Sequence, residues 1–243
     1  MDRVEGGTAL IEPEWGEQRC KVMNITANQV QVQIGYNITL EGNLNIPANP
    51  RGLVLFVHGS GSSRHSPRNQ FVARVLHNAG LATLLIDLLT AREEEEDRWT
   101  GHLRFDIKLL SERVVGATNW LTLQPTTEHL KIGYFGASTG AAAALVAAAE
   151  HPLLIGAVVS RGGRPDLASS SLPSVQAPTL LIVGSKDTQV IELNRMAFSL
   201  LRGEKQLEIV PGATHLFEEP GALEQVAQLA SKWFERYLAT GQS

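Results

Sequence analysis

Hydrophobic positions along this chain follow two periods. Between 29 and 47 apolar and polar residues alternate, with Val30, Val32 and Ile34, then Ile38, Leu40, Leu44 and Ile46, in step. A period of two puts such residues on one face of a strand, and the polar opposite face suits antiparallel pairing with one side in solvent. Alternation is also present over 19–27, so the chain is expected to open as an antiparallel meander. From 53 onward the alternation disappears: 53–57, 81–86, 132–135, 155–159, 179–183 and 207–210 are continuous apolar runs. Strands without a polar face are covered on both sides, as in a parallel sheet.

Helical spacing separates these runs. Over 101–124 Leu103, Ile107, Leu110, Val114, Ala117 and Leu121 recur every three or four residues, and Leu223, Val226, Ala230, Trp233 and Tyr237 do so near the end. Each series makes one stripe of a helix packed on a sheet face. Strand runs alternating with helices predict an α/β protein, its mainly parallel central sheet of about seven to eight strands flanked by helices on both faces. A length of 243 residues suits a single domain over 1–243, with the polar, acidic stretch 1–16 read as a loosely held tail.

Loops beyond the carboxyl ends of parallel strands carry the chemistry of such sheets. After the run 132–135 comes Gly136-Ala137-Ser138-Thr139-Gly140, followed by an alanine-rich stretch to Glu150. G-x-S-x-G between a strand and a helix has the form of a nucleophile elbow, a tight turn that exposes the serine hydroxyl while glycines on either side keep the crossing elements clear. The hydroxyl is a weak nucleophile until a base takes its proton, and the base needs an acid to orient it. Asp187 follows the run 179–183 and His215 follows 207–210, so serine, acid and base stand in the order Ser138, Asp187, His215, each just beyond a strand run. Asp187 has another reading, as cap of a helix starting near Val190, which would turn attention to Glu218 or Glu219 as the acid. Two backbone N–H groups are also required for the oxyanion: Thr139 is the first candidate and Ser60, in His58-Gly59-Ser60-Gly61, the second. His58 is placed with the substrate-side residues, where it shapes this loop by hydrogen bonding.

In these segments the chain resembles the α/β-hydrolases, and among them the small, lidless, dienelactone-hydrolase-like group. The matching pieces are 53–61 for the oxyanion loop, 136–140 for the elbow, 184–187 for the acid and 212–215 for the base, and the resemblance extends over nearly the whole chain. It implies an α/β-hydrolase fold and a serine hydrolase, a carboxylesterase acting through an acyl-enzyme on Ser138. Dienelactone hydrolases proper carry cysteine as nucleophile, whereas position 138 is serine, which argues against dienelactone itself as substrate. Caps in this fold are often inserted after the sixth strand, but here only 160–177 separates two strand runs, so no large cap is expected. An uncapped, wet site favours small, short-chain or soluble esters.

Composition narrows the partners. A formal charge of -4 and a pI near 6.0, with no basic stripe, give no reason to bind nucleic acid or an anionic membrane. The single cysteine, Cys20, has no internal partner, and no C-x-x-C or H-E-x-x-H spacing offers a metal site, so neither metal nor other cofactor is implied. The beginning of the chain lacks a basic segment followed by an apolar core, and no stretch approaches the roughly twenty apolar residues of a membrane span, so a cytoplasmic location is expected. The expected partner is a small-molecule ester; oligomeric state is not legible.

Arginines colour the site. Arg161 stands at a strand's carboxyl end, and Arg64 and Arg68 emerge from the oxyanion side, so guanidinium groups could hold the carboxylate or phosphate of an anionic ester. The run Glu93-Glu94-Glu95-Glu96-Asp97 reads as a solvated, mobile loop. Three rival functions remain open: acyl transfer or perhydrolysis through the same triad, dinucleotide binding at Gly59-x-Gly61 with Asp87 on the ribose, and a hydrolase-like protein that binds without turnover.

Overall fold

The computed structural model describes residues 28–239. The expected tail and the alternating stretch 19–27 lie outside these residues. β1 (Asn28–Ile34) and β2 (Ile38–Asn45) form the antiparallel pair that their alternation predicts, and β2 pairs antiparallel with β4 (Ala82–Ile86). β3 (Leu53–Val57), β5 (Ile132–Ala137), β6 (Ile155–Arg161), β7 (Thr179–Gly184) and β8 (Lys205–Val210) run parallel to β4 in one eight-stranded sheet of order β1-β2-β4-β3-β5-β6-β7-β8.

Coverage on both faces explains the continuous runs. Every residue of β3, β4, β5 and β7 is buried. β8 departs from that expectation because it is the edge strand, and Leu207 and Ile209 are only partly covered. α1 (Pro67–Asn78) and α6 (Ala222–Leu238) pack Val72, Leu76, Val226 and Phe234 against Val54 and Phe56 on one face. On the other face α3 (Ile107–Thr122) and α4 (Thr139–Glu150) pack Val114, Ala117 and the alanines Ala142, Ala143 and Ala144 against Leu55 and Tyr134. Alanine favours helix and adds no bulk, so α4 can lie close behind the strand it leaves.

Two boundaries differ from the sequence reading. The acidic run is not a loop but part of α2 (Ala91–Thr100), whose first turn is closed by a capping box between Thr90 and Glu93. The threonine and the glutamate three residues later satisfy each other's backbone N–H groups, and that local gain fixes a helix within the charge run. The helix expected from 101 begins at Ile107 instead, because Asp106 accepts the Leu109 N–H and caps it there. Between β6 and β7 stand only two short 3-10 turns, Pro165–Ala168 and Leu172–Ser174, so no large cap is inserted there. Among the described residues no helix is long and apolar enough to cross a membrane.

Candidate active site

Ser138 sits at the junction of β5 and α4 with φ 51° and ψ -123°. Such a backbone costs a residue with a side chain about 1–3 kcal/mol and persists only where its surroundings over-determine it. Here they do: the Ser138 N–H donates to the Arg161 carbonyl, and the Ser138 carbonyl accepts from the Arg164 and Ala141 N–H groups. Glycine is obligatory on both sides. A Cβ at Gly136 would lie 2.5 Å from the Ala141 Cα, and one at Gly140 2.2 Å from the Val57 carbonyl oxygen. β5, α4 and the end of β3 therefore cross within backbone contact.

The acid and base meet across two loops. His215 Nδ1 lies 2.6 Å from Asp187 Oδ2. Asp187 occupies the residue before α5 (Thr188–Leu200), but its side chain makes no capping bond there, so its carboxylate serves the histidine rather than the helix. With Nδ1–H donating to the carboxylate, Nε2 keeps its lone pair for a proton. Glu219 accepts the Thr214 N–H and braces the loop that carries His215; it is not an alternative acid partner for the ring. Ser138, His215, Arg161 and Arg68 line one cleft of about 500 Å³ with the loop 59–63. A second cavity of about 350 Å³ lies against the same loop, beside Leu88, Leu89 and Arg104.

The oxyanion candidates behave differently from one another. Thr139 is the first residue of α4, where an amide has no intrahelical acceptor and faces the positive end of the helix dipole. The Ser60 N–H, expected to be free for substrate, instead donates to Thr139 Oγ1 at 2.9 Å. His58 also departs from its placement beside substrate. Its Nε2 accepts the Leu88 N–H at 3.1 Å, so Nδ1 carries the proton and faces the Gly59 carbonyl at 3.0 Å. Both ring nitrogens are thus held by backbone, and burial pushes the imidazole below its usual range, keeping it neutral.

Of the three arginines, one is corrected. Arg64 turns away from the cleft: its guanidinium bonds Asp87 and Glu41, and its own N–H donates to Asp87 Oδ1 at 2.7 Å. Asp87 was the acid required by the dinucleotide reading, and this pairing engages both of its oxygens. Arg68 lines the cleft and reaches Glu218 at 3.1 Å. Arg161 is only 7% exposed, yet among the described residues its Nε and Nη1 are buried with no partner. Burial, then the positive charge of Arg68, push its guanidinium down to about 10, which leaves it protonated near neutral pH.

Residues 40–240 match the dienelactone hydrolase family. The chain belongs to that family. A dienelactone hydrolase from Anabaena variabilis is 65% identical, superposes with a TM-score of 0.86, and is matched over 87% of this chain and 98% of its own. An esterase domain from Rhodothermus marinus is 21% identical with a TM-score of 0.68, over 86% of this chain and 98% of its own, a likeness of fold. Two strain versions of a Mycobacterium tuberculosis protein, whose name proposes a phosphoribosyl transferase, are 60% identical over 210 residues. Those residues are 86% of this chain but 46% of theirs, so the chain spans less than half the length of the curated relatives it matches.

Family and fold together give this dienelactone hydrolase family member an α/β-hydrolase fold without a large cap. Two parts of the site escaped the sequence reading. The Thr139 hydroxyl meets a loop 79 residues away, and no local pattern announces such a contact. The Arg64 to Asp87 pairing did have a signal, a strand-end acid opposite a loop arginine, but that acid was weighed only as the ribose contact of the dinucleotide alternative.

Proposed function

We propose that this protein hydrolyses small, soluble carboxylic esters bearing an acidic group, through an acyl-enzyme on Ser138. The observation that carries this reading is a single cleft lined by Ser138, His215 and Arg161, whose Nε and Nη1 have no partner among the described residues, with His215 tied to Asp187. Ser138 attacks the ester carbonyl while His215 Nε2 takes its proton, and Asp187 stabilises the imidazolium that results. The charge that develops on the carbonyl oxygen is met by the Thr139 amide at the start of α4. His215 then returns the proton to the leaving alkoxide, and water repeats the sequence to release the acid.

Arg161 supplies the selectivity. A buried cation with vacant N–H donors beside the nucleophile is costly unless an anion completes it, and a substrate carboxylate does so with charge-assisted hydrogen bonds. The dienelactone hydrolase and esterase relatives support a carboxylic ester or lactone as the reacting group. A cleft of about 500 Å³ suits a small molecule.

Hydrolysis of p-nitrophenyl acetate and p-nitrophenyl hemisuccinate by the native protein, beside Ser138→Ala, tests the reading. Serine-dependent turnover, lost by at least about 10⁴-fold in the variant and faster for the hemisuccinate, is the expected result. Turnover that persists in Ser138→Ala would remove Ser138 as nucleophile, and a preference for the neutral ester would remove the anionic substrate.

A further inference from the structure

The Ser60 amide is already engaged, and the group that engages it is the side chain of the other oxyanion candidate. Thr139 is 4% exposed and lies between Ser60 and Ser138, both of which line the cleft. Its Oγ1 accepts the Ser60 N–H at 2.9 Å. A hydroxyl that accepts one hydrogen bond still has a proton to donate, and that proton must point away from the amide it accepts from. The buried hydroxyls of Thr118, Thr127 and Thr179 each have a bond to a backbone carbonyl for that purpose. Among the described residues the Thr139 hydroxyl has no such acceptor, although it stands beside the close crossing of β5, α4 and the end of β3, next to the nucleophile.

We propose that the Thr139 hydroxyl is a catalytic donor to the oxyanion, paired with the Thr139 amide and directed by the Ser60 N–H. Ser60 then acts through the hydroxyl rather than on substrate: its N–H fixes the Oγ1 lone pair, aims the O–H at the developing charge, and polarises it, since hydrogen bonds in a chain strengthen one another. One residue thereby supplies both donors, and its side chain is set before substrate arrives. Preorganised donors of this kind act on the transition state more than on the bound ester, so their loss appears in kcat. This inference rests on Ser138 being the nucleophile.

Two measurements test it. In Thr139→Val, which keeps the shape and removes the hydroxyl, kcat for p-nitrophenyl acetate should fall about 100-fold with KM little changed, while Thr139→Ser should stay within a few-fold of the native protein. A structure of the native protein phosphonylated at Ser138 by p-nitrophenyl methylphosphonate needs no variant; its phosphonyl oxygen should lie within hydrogen-bond distance of Thr139 Oγ1. Native kcat in Thr139→Val would overturn the proposal. So would a phosphonyl oxygen bound by the Ser60 N–H with Oγ1 turned away. Failure of the reagent to modify Ser138 would remove the nucleophile and this proposal together, whereas either of the other two results removes the proposal alone.

Discussion

Arg161 ends β6 and Arg64 lies in the loop that follows β3, both at the carboxyl side of the parallel strands and both largely buried, yet their surroundings are opposite. Around Arg64 the charges are balanced, and in that sense closed: Asp87 accepts from Nη1 and from the backbone N–H and Glu41 from Nη2, and only Nε is without a partner among the described residues. Around Arg161 they are open: among the described residues Nε and Nη1 have no partner, and the nearby charge is a second arginine, Arg68. Position at the carboxyl side of the sheet therefore does not distinguish a structural arginine from a ligand-binding one. The test is whether the protein itself pairs the cation with an acid, as Asp87 and Glu41 do for Arg64. A paired cation holds β2, the end of β4 and the oxyanion loop together, while a cation without an acid raises the energy of the empty cleft and lowers it again when an anion enters.

The largest expected effect lies on the closed side. Arg64→Met strands the Asp87 carboxylate, which is 8% exposed, and should cost about 3 kcal/mol of stability by denaturant titration. Discrimination between hemisuccinate and acetate esters should not change among the molecules that remain folded. On the open side the pattern reverses. Arg161→Met removes a buried, unpaired charge, so the protein should be stabilised by about 1 kcal/mol while its preference for the anionic ester falls by about 30-fold, equivalent to about 2 kcal/mol. Equal losses of stability in the two variants would erase the contrast.

The same distinction governs what could be read from the sequence. Ser138, Asp187 and His215 were legible because their order and their place beyond apolar runs follow from topology, and the sheet brings Asp187 within 2.6 Å of His215. The doubly covered strands were legible because burial on both faces demands continuous apolar residues. Pairings between distant segments were not. Arg64 finds Asp87 and Glu41 only once β2, β4 and the loop after β3 are assembled, and the Ser60 amide finds Thr139 only when α4 crosses the end of β3. α2 illustrates a different failure, since the charge run suggested a loop while the Thr90 and Glu93 pair, present in the sequence, specified a helix start. Net charge is a long-range property, but a capping box acts within one turn, and the local term prevailed.

His58 extends the comparison to pH, with a smaller effect. It belongs to the closed side, because both nitrogens are engaged by backbone and the neutral ring is required to accept the Leu88 N–H. Burial lowers its pKa in the folded protein, so the unfolded chain takes up a proton near pH 6.5 while the folded chain does not. Stability from this group is therefore complete above pH 6.5. It declines as pH falls toward the depressed folded value, by at most about 1.4 kcal/mol for each pH unit. Comparing Tm for the native protein and His58→Asn between about pH 6.5 and 5 isolates that contribution, since the other titrating groups are common to both. The native protein should lose more stability over the interval than the variant. Parallel pH profiles would mean that the folded ring accepts a proton, and would move His58 from the closed side of the molecule to the open one.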